Sequence, residues 1–162
     1  MHEVRASTTD DGHDQPSILV IGYGNELRGD DALGPLAARA IATWGLSYVH
    51  TLDIHQLTPE LAEALAAVQF ALFLDAAQHL PPEMPPQVEQ LNAGGPPISG
   101  HAAGPQALLS LAKHLYGACP KAWLLTIPGI CFDFGTALSP SAVQGLTQAL
   151  ILARALILNR NA

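Results

Sequence analysis

Two hydrophobic patterns alternate along this chain. Ile18-Leu19-Val20-Ile21 is a short unbroken apolar run, rich in β-branched residues and closed by Gly22. That is the pattern of a strand buried on both faces. Leu33, Leu36, Ala37, Ala40, Ile41 and Trp44 then recur at three- and four-residue spacing, which gathers them on one helix face. Asp30 and Asp31 stand at the start of this helix, Pro35 fits only in its first turn, and Gly45 ends it. Tyr48 to Leu52 predicts a second strand. Thr58-Pro59-Glu60 offers a cap residue, a proline at the first helical position and a first-turn acid, so a short helix is expected to about Ala67. Phe70 to Leu74 reads as a third buried strand ending at Asp75. Prolines crowd the stretch from His79 to Pro97 and predict an irregular connection, with Gln87 to Leu91 as a candidate edge strand. Pro105 opens a helix through about Tyr116, and Ala122 to Ile127 is a further strand. Ser139-Pro140 repeats the cap-plus-proline signature before a long helix in which Val143, Leu146, Leu150, Ala153 and Ile157 share a face.

This order predicts an α/β fold, a mostly parallel twisted sheet of about five strands with helices on both faces. It forms a single domain over residues 17–162, preceded by a polar, acidic segment, 1–16, expected to be a disordered tail. Ligands of such folds bind beyond the carboxyl ends of the strands. Asp30 and Asp31 follow the first strand, His55 and Gln56 the second, and Asp75 the third. His101 lies in the loop Gly100-His101-Ala102-Ala103-Gly104, just before a helix. Four separate segments therefore bring polar groups to one rim.

Composition narrows the function. Hydrophobic residues make up 49% of the 162 and charged residues 13%, enough to build a core without disulfides or a structural metal. The net charge of -7, with seven scattered Lys and Arg, excludes nucleic acid as a partner. Cys119 and Cys131 fit neither a disulfide framework nor a zinc ribbon. Residues 1–16 lack the apolar stretch of an export signal, and Arg154 interrupts the last apolar run. The expected compartment is the cytoplasm, with no membrane involved.

Gly22-Tyr23-Gly24 does not complete a dinucleotide fingerprint, because Leu27 stands where the third glycine belongs and the two aspartates would repel a pyrophosphate. The glycines are expected to serve a tight turn. One aspartate of the Asp30-Asp31 pair explains a helix cap; two leave a spare carboxylate for the crevice. Asp75 closes an apolar strand, where a carboxylate is seldom left without a partner. His101 is flanked by glycine and alanine, so an incoming group can approach it closely. His2, His13, His50, His79 and His114 lie in no motif. Two carboxylates and an imidazole make a donor set for a divalent transition metal with open positions.

The stretch from Ile18 to Gly34, strand, Gly22-Tyr23-Gly24-Asn25, a leucine, Asp30-Asp31 and a later glycine, resembles the opening signature of the hydrogenase maturation endopeptidases. Leu72-Phe73-Leu74-Asp75-Ala76 and Gly100-His101 are similar to that family's second and third metal-binding segments. The resemblance runs from about residue 18 to the C-terminus. It implies that Asp31, Asp75 and His101 are ligands and catalytic groups, with Asp30 and Asn25 in support. It implies removal of a C-terminal extension from a [NiFe]-hydrogenase large-subunit precursor. It also implies no metal of the protein's own: the nickel already in the substrate docks at the triad, where cadmium or zinc could stand in. Ala32 departs from a frequent family glycine. His55-Gln56-Leu57-Thr58-Pro59-Glu60-Leu61 replaces a frequent Gly-Thr turn and resembles the branch serving bidirectional, NAD-linked hydrogenases. His55 and Gln56 are thereby candidates for choosing among large subunits. The rival readings are a hydrolase with its own zinc or manganese, a nickel metallochaperone that cleaves nothing, and an aspartyl-type peptidase using Asp31 and Asp75 as a carboxylate pair.

Overall fold

The chain after Ser17 alternates strand and helix as its patterning predicts. The computed structural model describes residues 17–94 and 104–159. β1 (Ile18–Tyr23) leads through a 3₁₀ turn (Gly29–Ala32) into α1 (Leu33–Ala42), then β2 (Val49–Ile54), α2 (Leu61–Ala66) and β3 (Phe70–Ala77). β4 (Gln87–Leu91), α3 (Pro105–Tyr116), β5 (Lys121–Pro128) and α4 (Pro140–Leu158) complete it. The predicted tail, residues 1–16, lies outside the described residues.

The five strands form one sheet in the order β2-β1-β3-β5-β4. The first four in that order run parallel, and β4 pairs antiparallel with β5 at the edge. β1 sends its chain to β2 on one side, while β3 lies on the other. The order therefore reverses between β1 and β3, and their carboxyl ends open a crevice there.

Successive β1 residues point to opposite faces and feed two cores. Ile18 and Val20 meet α1 and α4 through Leu33, Ala37, Ile41, Ala149, Ala153 and Ile157. Leu19 and Ile21 meet α2 and α3 through Leu65, Leu108 and Leu109. Covering both faces explains why the strands are nearly all apolar.

The structure adjusts several sequence expectations. Gly22 serves a close approach of β1 and α1, since a Cβ there would overlap the Gly34 carbonyl oxygen. The turn itself needs Gly24, whose φ is +153°. α2 begins at Leu61, later than Thr58-Pro59 suggests. Glu60's own backbone N–H, and after it the Thr58 hydroxyl, hold the Glu60 carboxyl below its usual range. β3 runs past Asp75 to Ala77, because β5 continues to pair with it as far as Pro128. On α4 the buried stripe is Ala142, Gly145, Ala149, Ala153 and Ile157, while Val143 is exposed. Small residues bring the helix close to the sheet, with Gly145 against Ile127. By length and composition alone α4 is apolar enough to cross a membrane, an arithmetic that the interruption at Arg154 does not cancel. In the fold one stripe of α4 packs on the sheet, while Val143, Ile151 and Leu158 are exposed.

Candidate active site

The crevice is built from the ends of β1, β2 and β3. Beyond β1 the chain turns at Gly24, and the 3₁₀ turn carries Asp31 back over the strand ends. Asn25 stabilises this path twice. Its backbone N–H donates to Asp31 Oδ2 at 2.6 Å, and its side-chain Oδ1 accepts from the Leu27 N–H at 3.0 Å. Asp31 is half-buried, one oxygen tethered by this bond.

Asp75 reaches the same place from β3. The β1–β3 register ends with Gly22 opposite Leu74, so the next residues, Tyr23 and Asp75, are neighbours across the strands. Alternation puts both on the face of Ile21 and Phe73, and the Tyr23 ring packs with that core. The Tyr23 hydroxyl donates to the Asp75 carboxylate. Burial pushes the Asp75 carboxyl up to about 6. The hydrogen bonds from Tyr23 and the Ala76 N–H oppose that rise, and the charge of Asp31 adds to it. Burial and the adjacent Asp75 raise the Tyr23 phenol well above its usual range, so it remains a donor. Asp31 and Asp75 thus share one field. They line an open cleft of about 590 Å³ with Tyr23, His55, Gln56, Leu57 and the Gly104-Pro105 start of α3.

Asp30 faces the other way. It is fully buried. Its Oδ2 accepts from the Ile130 N–H (2.8 Å), the Cys131 N–H (3.1 Å) and the Ser139 hydroxyl (2.7 Å), and its Oδ1 accepts from the Ser139 N–H (2.8 Å). Burial alone would raise this carboxyl; the donors outweigh it and hold it below the usual range. Ser139 Oγ also accepts from the Ala142 N–H at the start of α4. Asp30 therefore clamps the loop between β5 and α4 and the cap of α4 to the turn that carries Asp31. It neither caps α1 nor enters the cleft.

No family profile matches the chain. Over 147 residues it is 33% identical to the hydrogenase expression/formation protein HupD of Thiocapsa roseopersicina, covering 85% of this chain and 66% of that relative's length. The chain thus spans just under two thirds of that relative. Among solved structures it is similar to the hydrogenase maturating endopeptidase HybD from E. coli, with a TM-score of 0.68 and 22% identity over 88% of this chain and 93% of that one. It is also similar to the [NiFe] hydrogenase maturation protease HybD from Thermococcus kodakarensis, with a TM-score of 0.65 and 20% identity over 86% of this chain and 97% of that one. The fold is that of the hydrogenase maturation endopeptidases.

The structure brings Asp31 and Asp75 together and places His55 and Gln56 on the wall of the same cleft. His101 and the loop before Gly104 lie outside the described residues. Among the described residues no three His, Cys, Asp or Glu side chains gather into a metal-holding group. Asn25 supports Asp31 through its backbone; Asp30 supports the turn from beneath. Reading Gly22-Tyr23-Gly24 for its glycines alone overlooked Tyr23. Its signal was alternation: two residues beyond Ile21, it had to share that residue's face. The Asp30–Ser139 clamp joins residues too distant in sequence for any local pattern to reveal.

Proposed function

We propose that this protein is the endopeptidase that removes the C-terminal extension of a [NiFe]-hydrogenase large-subunit precursor, in the cytoplasm and after nickel insertion. The observation that supports it most is the pair Asp31 and Asp75, two carboxylates lining one open cleft at the point where the strand order reverses. Nickel enters as part of the substrate. Asp31 and Asp75 offer it anionic oxygens, and His101 is the third donor in this reading. The docked ion either polarises the scissile carbonyl or activates a water molecule, and hydrolysis then leaves a shortened subunit and a free tail. His55 and Gln56 contact the substrate around the ion and select among large subunits, here those of bidirectional, NAD-linked hydrogenases.

A second reading, an aspartyl-type carboxylate pair, draws on the raised Asp75 carboxyl. Incubating the protein with a nickel-loaded precursor and weighing the product tests the main proposal. The expected result is a large subunit shortened at its C-terminus. Nickel bound without any loss of mass would make the protein a metallochaperone instead.

A further inference from the structure

Each cleft aspartate is tethered, but by different means. Asp31 is held by the Asn25 backbone N–H, a donor that no side-chain substitution removes. Asp75 is held by the Ala76 backbone N–H and by a side chain, the Tyr23 hydroxyl. Tyr23 is the last residue of β1, and its ring is fixed among core residues of the α2–α3 face. The strand register sets its place beside Asp75. It lines the cleft beside both carboxylates. A phenol here is chemically out of keeping with the apolar run that precedes it, since a phenylalanine would fill the same space without burying a hydroxyl.

We infer that Tyr23 is a positioning residue: its hydroxyl occupies part of one Asp75 carboxylate and aims the rest at a divalent ion in the cleft. A carboxylate free to rotate presents either oxygen, or both, to an ion. One held by a donor from a rigid strand presents a single, fixed set of lone pairs. The inference rests on the reading of Asp75 as a ligand to the substrate's nickel, and the test separates the two.

Wild type, Tyr23→Phe, Asp75→Asn and the double variant are compared in two assays. The first is cleavage of the nickel-loaded precursor; the second is calorimetric titration with cadmium alone. Outer-sphere partners of ligating carboxylates are worth about 10–100-fold. Tyr23→Phe is therefore expected to lower kcat by at least about tenfold with KM within about twofold, and to weaken cadmium binding by a similar factor. In the Asp75→Asn background the same substitution should leave cadmium binding unchanged, because the hydroxyl acts only through Asp75. A ring lost merely as packing would instead lower the melting temperature and act equally in both backgrounds. If Tyr23→Phe does not fold, Tyr23→Trp keeps aromatic packing without a hydroxyl at Asp75 and carries the same expectation. Wild-type rates and affinities in a folded Tyr23→Phe overturn the inference and leave the processing reading standing. A wild type that binds cadmium through Asp75 but never cuts overturns the processing reading, and the titrations then decide on Tyr23. A wild type that neither binds nor cuts overturns both.

Discussion

Asp30 and Asp31 are adjacent in sequence and opposite in fate. Asp30 is sealed from water and saturated with donors from a loop some hundred residues away in sequence. Asp31 turns into the cleft toward Asp75, with one tether. The contrast with Asp75 is sharper still. Asp30 is fully buried and Asp75 partly so, yet Asp30 is held below the usual carboxyl range and Asp75 is pushed above it. The donors around Asp30 more than compensate its burial, whereas at Asp75 burial and the charge of Asp31 outweigh the bonds from Tyr23 and the Ala76 N–H. A carboxylate with all its lone pairs occupied is a structural joint. One left under-satisfied in a cleft is available to an ion or a proton.

Breaking Asp30 should have the largest effect on stability. Asp30→Ala leaves the Ile130, Cys131 and Ser139 N–H groups without their acceptor and unties the cap of α4. A loss on the order of 3–5 kcal/mol is expected in urea unfolding, with activity lost as a consequence. The folded-state carboxyl of Asp30 lies below its unfolded value, so its contribution is present above about pH 4 and is lost as pH falls further. Unfolding curves of wild type and variant should therefore converge in acid. A variant within 1 kcal/mol of wild type at pH 7, by roughly the error of such measurements, would remove the clamp from the account.

Asp75→Asn should do the reverse. The folded-state value of about 6 lies above the unfolded one, so the ionised side chain opposes folding at neutral pH. The variant should be as stable as wild type or more so at pH 7–8, by an amount on the order of 1–2 kcal/mol. That margin should shrink as pH falls from about 6 toward 4, where wild type gains the proton in both states. Cleavage should vanish while circular dichroism is unchanged. Normal cleavage by a folded Asp75→Asn variant would remove Asp75 from the chemistry.

The smallest effect belongs to the cysteines. Cys131 contributes only its backbone to the Asp30 clamp and its thiol is exposed; Cys119 is half-buried at the α2–α3 core. Cys119→Ser/Cys131→Ser should cut the precursor at a rate within about twofold of wild type, with at most about 1 kcal/mol lost at Cys119. Complete inactivity of the folded double variant would point to a cysteine nucleophile.

Most of the fold was legible because its elements are locally consistent. The apolar run at Ile18, the proline at position 105 and the Ser139-Pro140 pair each carry their own start signal, and the structure puts β1, α3 and α4 there. The edge position of β4 followed from the prolines that precede it and its own polar residues. Errors arose where tertiary pairing overrode local pattern. β3 extends through Asp75 because β5 pairs with it, and α4 buries alanine and glycine because closeness to the sheet matters more than side-chain size. At the site, the meeting of Asp31, Asp75, His55 and Gln56 at one cleft was legible from their places at or near strand ends, which topology brings to one rim. The tasks of Tyr23 and Asp30 were not, because each depends on a partner from a distant segment.

The central claim is that the cleft docks an ion carried by the substrate. Nickel-loaded and nickel-free forms of the large-subunit precursor should be offered to protease stripped with chelator, and the products weighed. The account predicts a shortened subunit from the loaded precursor alone, at the same rate with stripped and untreated protease. Equal cleavage of both precursors, or cleavage that disappears only when the protease is stripped, would contradict it.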